Sequence, residues 1–230
     1  MKALLLAAGL GTRLRPLTLR TPKCLVKING RPLLDYWLEN LFSGGVTEVM
    51  INLHYLSDQV EKYLEKSPFG QQVKAVFEPE LLGTAGTLFE NRAFFMDDSI
   101  LLVHADNFSV FELSHFVATH KGRPEHCEIT MMTFRTDAPE TCGILELDNE
   151  DVVIGFHEKV AEPPGNLANG AVYILEPSVL KFIEAQGGLI SDFSTQVLPH
   201  YLNRIYTFHN SNYHRDIGNM ESLRKAQERL

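Results

Sequence analysis

Four short apolar runs recur through the first half of the chain: KALLLAA (residues 2–8), EVMINL (48–53), VKAVFE (73–78) and SILLVHA (99–105). Each is strand-length and nearly continuous in its apolar character, the pattern of strands covered on both faces. Between and after them lie PLLDYWLENLFSGG, SDQVEKYLEKS, TAGTLFENRAFF and FELSHFVATHKG, whose apolar residues recur at helical spacing. The first of these ends in the paired Gly44-Gly45 suited to a helix C-cap. This βαβα rhythm predicts an α/β fold with a mostly parallel central sheet and helices on both faces.

After Arg123-Pro124 the texture changes. CEITMMTFR, CGILELD, VVIGFHEK and GAVYILE read as strands, separated by turn chemistry such as LDNED and EPPGN. Helical patterns return in PSVLKFIEAQGG, SDFSTQVLPHYL and NMESLRKAQERL. No linker, repeat or low-complexity tract intervenes, so the expectation is one domain over 1–230, with halves of about 1–122 and 123–230, the second more antiparallel.

Composition narrows the function. With 44% hydrophobic and 22% charged residues, the 230-residue chain can bury a real core. Its longest apolar run, Ala3 to Leu10, falls far short of the roughly 20 residues that span a bilayer. A net charge of -8 argues against nucleic acid or an anionic membrane as partner. Cys24, Cys127 and Cys142 are odd in number and scattered, as in a reducing compartment rather than a disulfide framework. The opening run could also be a secretory leader, but it ends in GLGTRLRP and a basic, proline-containing stretch rather than at a small-residue cleavage site. A cytoplasmic protein is expected.

Charge is unevenly spread. Lys2, Arg13, Arg15, Arg20, Lys23, Lys27 and Arg31 precede the first acid, Asp35. These residues are interleaved with glycine, proline and apolar residues, which favours a concave anion site over a solvated helix face. In GLGTR, Gly9 and Gly11 let backbone N–H groups approach anionic oxygens. A bare Gly-x-Gly is more commonly only a turn. The Walker string is absent, and the dinucleotide fingerprint fails at Leu14, while Asp35 lies in a helical pattern rather than ending a second strand. Arg13 offers a planar fork of donors, Lys23 a point charge, and Pro16 and Pro22 stiffen the path between them.

The run AAGLGTRLRPLTLRTPKCLVKI resembles the signature of the sugar-1-phosphate nucleotidylyltransferases, Gly-x-Gly-Thr-Arg-Leu-x-Pro-Leu-Thr followed by Pro-Lys. The resemblance continues through LGTAGTL (82–88), HAD (104–106), FHEK (156–159), NGAVYIL (169–175) and RDIG (215–218), and so covers nearly the whole chain. It implies a Rossmann-like three-layer α/β/α nucleotide-diphospho-sugar transferase fold, with a nucleotide-binding half and a partly antiparallel sugar-binding half. It also implies the reaction: a sugar 1-phosphate oxygen attacks the α-phosphorus of a nucleoside triphosphate and pyrophosphate leaves. Since that oxygen is already ionised, the protein's task is positioning and charge neutralisation.

On this resemblance Arg13 and Lys23 are the catalytic candidates, acting on the triphosphate and at the reacting centre. Ala7, Ala8, Gly9, Gly11, Thr12, Gly83, Thr84 and Gly86 are the nucleotide-binding candidates. Asp106, Gly143, Glu158, Lys159 and Asn169 are the sugar-site candidates, and Asp106 and Asp216 the pair for Mg²⁺, which favours hard carboxylate oxygens completed by phosphate. Asp106 directly follows an apolar strand, where ligands of open α/β sheets bind. Taken singly, the aspartates could be caps, the Glu-Lys pair a solvated strand end, and Gly83 and Gly86 a helix start. A zinc site is disfavoured, because His115 and His120 are five apart and no Cys-x-x-Cys accompanies them; His104 is a possible cleft residue.

Ala105 stands where glycine often precedes the metal aspartate, and Cys142 where an aromatic residue often precedes Gly143; Leu10 and Thr87 are minor variants. The departures at Ala105 and Cys142 leave the sugar open. LGTAGTL most resembles the mannose-1-phosphate guanylyltransferases and heptose-1-phosphate enzymes of cell-envelope polysaccharide synthesis. UTP- or dTTP-dependent enzymes, including the N-acetylmuramate type, and a CTP:phosphocholine cytidylyltransferase are the alternatives within the family. A non-catalytic regulatory subunit is the alternative of another class, against which the presence of Arg13, Lys23 and both aspartates argues. With only a short stretch after RDIG, no C-terminal β-helical domain is expected, and self-association is left open.

Overall fold

The computed structural model describes residues 1–95 and 98–229. By spatial clustering the chain forms two compact units: Met1–Leu81, Val103–Leu113 and Tyr213–Leu230 make one, and Leu82–Leu102 and Ser114–Asn212 the other. In chain order the first unit opens with β1 (Lys2–Leu6), the two-residue strands β2 (Lys27–Ile28) and β3 (Arg31–Pro32), and α1 (Leu33–Ser43). It continues with β4 (Val49–Leu53), α2 (Ser57–Leu64) and β5 (Val73–Phe77). Next come α3 (Thr84–Glu90), α4 (Arg92–Phe95) and β6 (Ile100–His104), within which the chain passes back to the first unit for β7 (Asn107–Val110). The rest of the second unit holds α5 (Leu113–Lys121), β8 (Ile129–Arg135), β9 (Gly143–Leu147), β10 (Val153–Glu158), β11 (Leu167–Leu175), α6 (Pro177–Ala185), α7 (Phe193–Gln196) and β12 (Ile205–His209). Strand β13 (Tyr213–Asp216) and α8 (Met220–Gln227) return to the first.

In the first unit β1, β4 and β5 pair in parallel in that order, with Leu6 opposite Asn52 and Asn52 opposite Val76. The opening apolar run is therefore a core strand, and Ala3, Leu4 and Leu5 are fully buried. All of β4 is buried, which accounts for its continuous apolar sequence, broken only by Asn52. Helix α1 buries Leu33, Leu34, Trp37, Leu38 and Leu41, one stripe at helical spacing, and the Trp37 indole donates to the Asn107 carbonyl at 2.8 Å. That bond fixes α1 to the start of β7, which pairs antiparallel with β13.

In the second unit β10–β9, β9–β11 and β11–β8 all run antiparallel. Strand β12 pairs in parallel with β8 and lies outside the predicted elements. Two predicted helices are shorter than their patterns. TAGTLFENRAFF breaks at Asn91, whose side-chain amide donates to the Thr87 carbonyl, and SDFSTQVLPHYL yields only α7 and a 3₁₀ turn. Leu230, the last residue of NMESLRKAQERL, lies outside the described residues.

The register of β11 against β8 shifts between Asn169 and Tyr173, and Ala171 there takes a left-handed φ of 53°. Gly170 sits close to β8: a Cβ there would stand 2.8 Å from the flexible Met132 Cε and 3.0 Å from the Met132 carbonyl oxygen. Ala171 is strained instead, because an L-residue in that conformation costs about 1–2 kcal/mol, partly offset by the entropy a glycine would lose. Ala171→Gly should therefore stabilise the protein by about 0.5–1 kcal/mol, read as a Tm rise of about 1–3 °C.

His120, buried at the end of α5, meets Thr130 Oγ1 through Nδ1 at 2.7 Å and Glu176 Oε1 through Nε2 at 2.8 Å. Burial pushes its imidazole below the usual range, against the upward pull of Glu176. As pH falls the unfolded chain takes up this proton before the folded one, so the stability from neutral His120 is complete above about pH 6.5 and is lost below it. Tm should decline from pH 7 to pH 5, and His120→Gln, which cannot titrate, should flatten part of that decline. An unchanged slope in the variant would exclude His120 as a contributor.

Candidate active site

The chain leaves β1 into a loop held from both sides. Ala7 N–H donates to Asn52 Oδ1 at 2.8 Å, and the Thr18 hydroxyl donates to the Gly11 carbonyl at 2.6 Å. Gly11 has φ 61°, and a Cβ there would come within 2.9 Å of Thr18 Cγ2. Only glycine fits both the conformation and the space. Gly9 faces open space, where an added Cβ would meet nothing within 4 Å. Short 3₁₀ turns follow at Thr12–Leu14, Leu17–Leu19 and Lys23–Leu25.

The last of these turns fixes Lys23. Pro22 precedes it in an extended conformation, Cys24 and Val26 are 2% exposed, and Leu33 N–H bonds the Val26 carbonyl at 2.9 Å. Burial also pushes the Cys24 thiol up to about 12, so this cysteine is an inert packing residue.

With its side chain only 7% exposed, Lys23 donates to Asp106 Oδ2 at 2.8 Å and to Asp216 Oδ1 at 3.0 Å. Asp106 is placed by the chain just beyond β6, where Ala105 N–H bonds the Leu6 carbonyl at 3.1 Å. Asp216 arrives from the other direction: on the β7–β13 ribbon it faces Asn107, the neighbour of Asp106. Arg13 Nη2 reaches Asp216 Oδ2 at 3.2 Å, and a Cβ on Gly218 would stand 2.7 Å from both partners. Desolvation raises the Asp106 carboxyl, but the Lys23 ammonium, aided by His104, outweighs it and holds the group below the usual carboxylate range.

Four predicted residues, Arg13, Lys23, Asp106 and Asp216, are thus brought into one cluster of two cations and two anions. The pairs differ in weight. Arg13 and Asp216 are 68% and 46% exposed, so their bond is worth at most about 1 kcal/mol. The Lys23 ammonium is buried, and leaving it unpaired would cost several kcal/mol. Both aspartates place an oxygen within 3.0 Å of the same nitrogen while remaining nearly half exposed, a donor set that suits Mg²⁺. Among the described residues no three His, Cys, Asp or Glu side chains converge on a metal position.

In the second unit Gly83 has φ 77°, and a Cβ would strike the Ser191 carbonyl at 2.5 Å. That carbonyl accepts from Ala85 N–H at 2.8 Å and Gly86 N–H at 3.3 Å, while Thr84 Oγ1 accepts from Phe193 N–H at 2.7 Å. These polar groups of LGTAG are therefore engaged within the protein.

Gly143 lies opposite Glu158 across β9 and β10, and its missing Cβ leaves room for Glu158 Oε2, which would otherwise lie 2.7 Å away. Lys159 takes a left-handed φ of 50° and pairs with Glu158 Oε1 at 3.1 Å. Asn169 donates to the Tyr173 hydroxyl at 2.6 Å and accepts from Ala171 N–H at 2.9 Å, which steadies the bulge. Among the histidines, His120 has the structural role described above. Sequence reasoning missed Asn52 and the buried Glu78, whose Oε1 accepts from Asn52 Nδ2 at 3.0 Å. The available signal was a polar residue at or next to the end of each of two apolar runs.

The nucleotidyl transferase family profile matches residues 2–230. The rice protein named probable mannose-1-phosphate guanylyltransferase 1 is 36% identical over 190 residues, covering 80% of this chain and 52% of its own length. The Mycobacterium tuberculosis mannose-1-phosphate guanylyltransferase is 30% identical over 226 residues, covering 96% and 62%. The chain thus spans about half to three-fifths of these relatives. A Bacillus anthracis crystal structure, provisionally assigned as a glucose-1-phosphate thymidylyltransferase and determined with sucrose, superposes with a TM-score of 0.84 over 99% of this chain and 94% of its own, at 24% identity. The three-layer α/β fold is shared with it.

Gly11→Ala should lower Tm by about 2–6 °C and speed amide exchange across residues 9–14, whereas Gly9→Ala should change neither. Equal responses would refute the assignment of the constraint to Gly11.

Proposed function

The chain belongs to the nucleotidyl transferase family, and from that premise we propose that it joins a nucleoside triphosphate, GTP, to mannose- or heptose-1-phosphate, releasing pyrophosphate. The observation that carries the reading is the buried Lys23 ammonium bonded to both Asp106 and Asp216 beside the Gly-x-Gly-Thr-Arg loop. The choice of GTP and of the sugar rests on relatives named as mannose-1-phosphate guanylyltransferases.

The charge balance of the cluster favours a metal requirement. Two cations and two carboxylates cancel, so the cluster alone has no net positive charge to offer a triphosphate. Asp106 and Asp216 would hold Mg²⁺, which when bound supplies the missing positive charge and a template for phosphate oxygens. Gly9, Gly11 and Thr12 turn backbone donors toward the triphosphate, with Ala7 and Ala8 leading into that loop. Arg13, largely exposed, is free to swing from Asp216 onto the departing pyrophosphate. Lys23 cannot move far and serves as a fixed positive charge at the reacting phosphate, preorganised and so without reorganisation cost during reaction.

The attacking oxygen is an ionised phosphate, so no general base is needed. Gly83, Thr84 and Gly86 are assigned to the base, with the engaged donors and hydroxyl of that loop serving its shape. Gly143, Glu158, Lys159 and Asn169 are assigned to the sugar, together with Asp106. Among the described residues no helix is long and apolar enough to cross a membrane.

The test is pyrophosphate release with Mg²⁺ across the nucleoside triphosphates and a panel of sugar 1-phosphates plus phosphocholine. Turnover with GTP and a mannose- or heptose-1-phosphate is expected; turnover in another cell of the grid would reassign base or sugar. Silence throughout would refute catalysis. Asp106→Asn should lower kcat at least a hundredfold with its circular dichroism unchanged, and Lys23→Ala should lower it about 10²–10³-fold. A loss in Lys23→Ala confined to KM for the triphosphate would make Lys23 a binding residue only.

A further inference from the structure

Asn52 and Glu78 are 4% and 3% exposed; Asn52 is the one polar residue of the buried parallel strand β4, next to its last residue, and Glu78 directly follows the parallel strand β5. Polar burial of this kind is costly unless the groups are satisfied, and each unmade bond costs about 1–3 kcal/mol. The bonds they make have a direction. Glu78 N–H donates to the Leu53 carbonyl at 2.8 Å, which anchors the residue to the end of β4. Its carboxylate accepts from Asn52 Nδ2, which leaves Asn52 Oδ1 turned to accept the N–H of Ala7. An asparagine amide can flip, exchanging donor for acceptor, and the carboxylate removes that freedom because it can only accept.

We propose that Asn52 is a positioning residue for the phosphate loop, held in one orientation by Glu78, so that the ends of β4 and β5 set the direction in which the chain leaves β1. Ala7 is the first residue beyond β1 and is followed directly by the predicted triphosphate donors. Its N–H is committed to Asn52, which fixes the Leu6–Ala7 peptide plane, two peptide units before Gly9. Neither Asn52 nor Glu78 needs to touch substrate in this role. The functional consequence rests on the assignment of that loop to a nucleoside triphosphate; the structural part does not.

The two hydrogen bonds make opposite demands on position 52, and Asn52→Asp separates them. An aspartate there can still accept from Ala7, but it faces the Glu78 carboxylate and must share a proton with it. The titratable His54 ring also lies here, bonded through Nδ1 to the Glu78 carbonyl at 2.7 Å and stacked on Phe77. Asn52→Asp should match the wild type near pH 6 and lose tenfold or more in kcat/KM for the triphosphate by pH 8.5, relative to wild type at the same pH. The loss should lie mainly in KM for the triphosphate, with KM for the sugar phosphate unchanged. Asn52→Asp/Glu78→Gln restores a donor opposite the carboxylate and should abolish the extra pH dependence, which would exclude His54 as its source.

Amide exchange across residues 7–12 provides the arm that needs no turnover: Asn52→Asp at pH 8.5 should exchange at least tenfold faster there than wild type, and the double variant should return to the wild-type rate. A pH response of Asn52→Asp identical to wild type, or one the double variant leaves in place, would overturn the proposal. Wild-type silence with every triphosphate would refute the proposed activity and leave the exchange measurement to decide the positioning role.

Discussion

One buried ammonium organises this site. Lys23 Nζ bonds Asp106 and Asp216, residues 83 and 193 positions away, and so ties together the first loop, the end of β6 and the β13 ribbon. A charge at this burial is tolerable only with both partners in place, and the partners in turn hold a nearly neutral cluster beside the loop. The same cluster is joined to the glycine loop through Arg13, whose guanidinium bonds Asp216. Local structure serves this geometry, since Pro22 and the buried Cys24 and Val26 leave the lysine little choice of path.

Much of the fold was legible because fully covered strands have to be apolar along their whole length. VMINL, ILLVH and KALLL announce themselves in this way. The strands that escaped, NFSV, IYTFH and YHRD, are short, partly polar and defined by partners far away in sequence, such as Phe108 opposite Arg215. Helical patterns overran where a local competitor won: the Asn91 side chain claims the Thr87 carbonyl, and Pro199 removes a donor. These are failures of range, because a periodicity window does not see tertiary pairing.

The site was legible in a different way. Nothing in spacing alone joins Lys23 to Asp106 and Asp216; the motif resemblance supplied the residues, and the ribbon pairing supplied the reason they meet. The loop LGTAG illustrates the opposite limit. Its glycines were visible, but the engagement of Ala85 and Gly86 N–H groups by the Ser191 carbonyl depends on a segment more than a hundred residues later. Asn52 and Glu78 stood in plain view as polar residues among apolar neighbours, and their meaning required the register that sets Asn52 beside Leu6 and Val76.

The discontinuity of the first unit has a consequence for how the protein is made. A ribosome delivers Lys23 early and Asp106 midway, whereas Asp216, with β13 and α8, follows only after the whole second unit. Until then the nascent lysine has one carboxylate instead of two, and the Trp37-anchored ribbon has one strand instead of two. Both the charge balance and the edge of β7 are closed by the same late segment, so the charge cluster becomes complete only as this compact unit does.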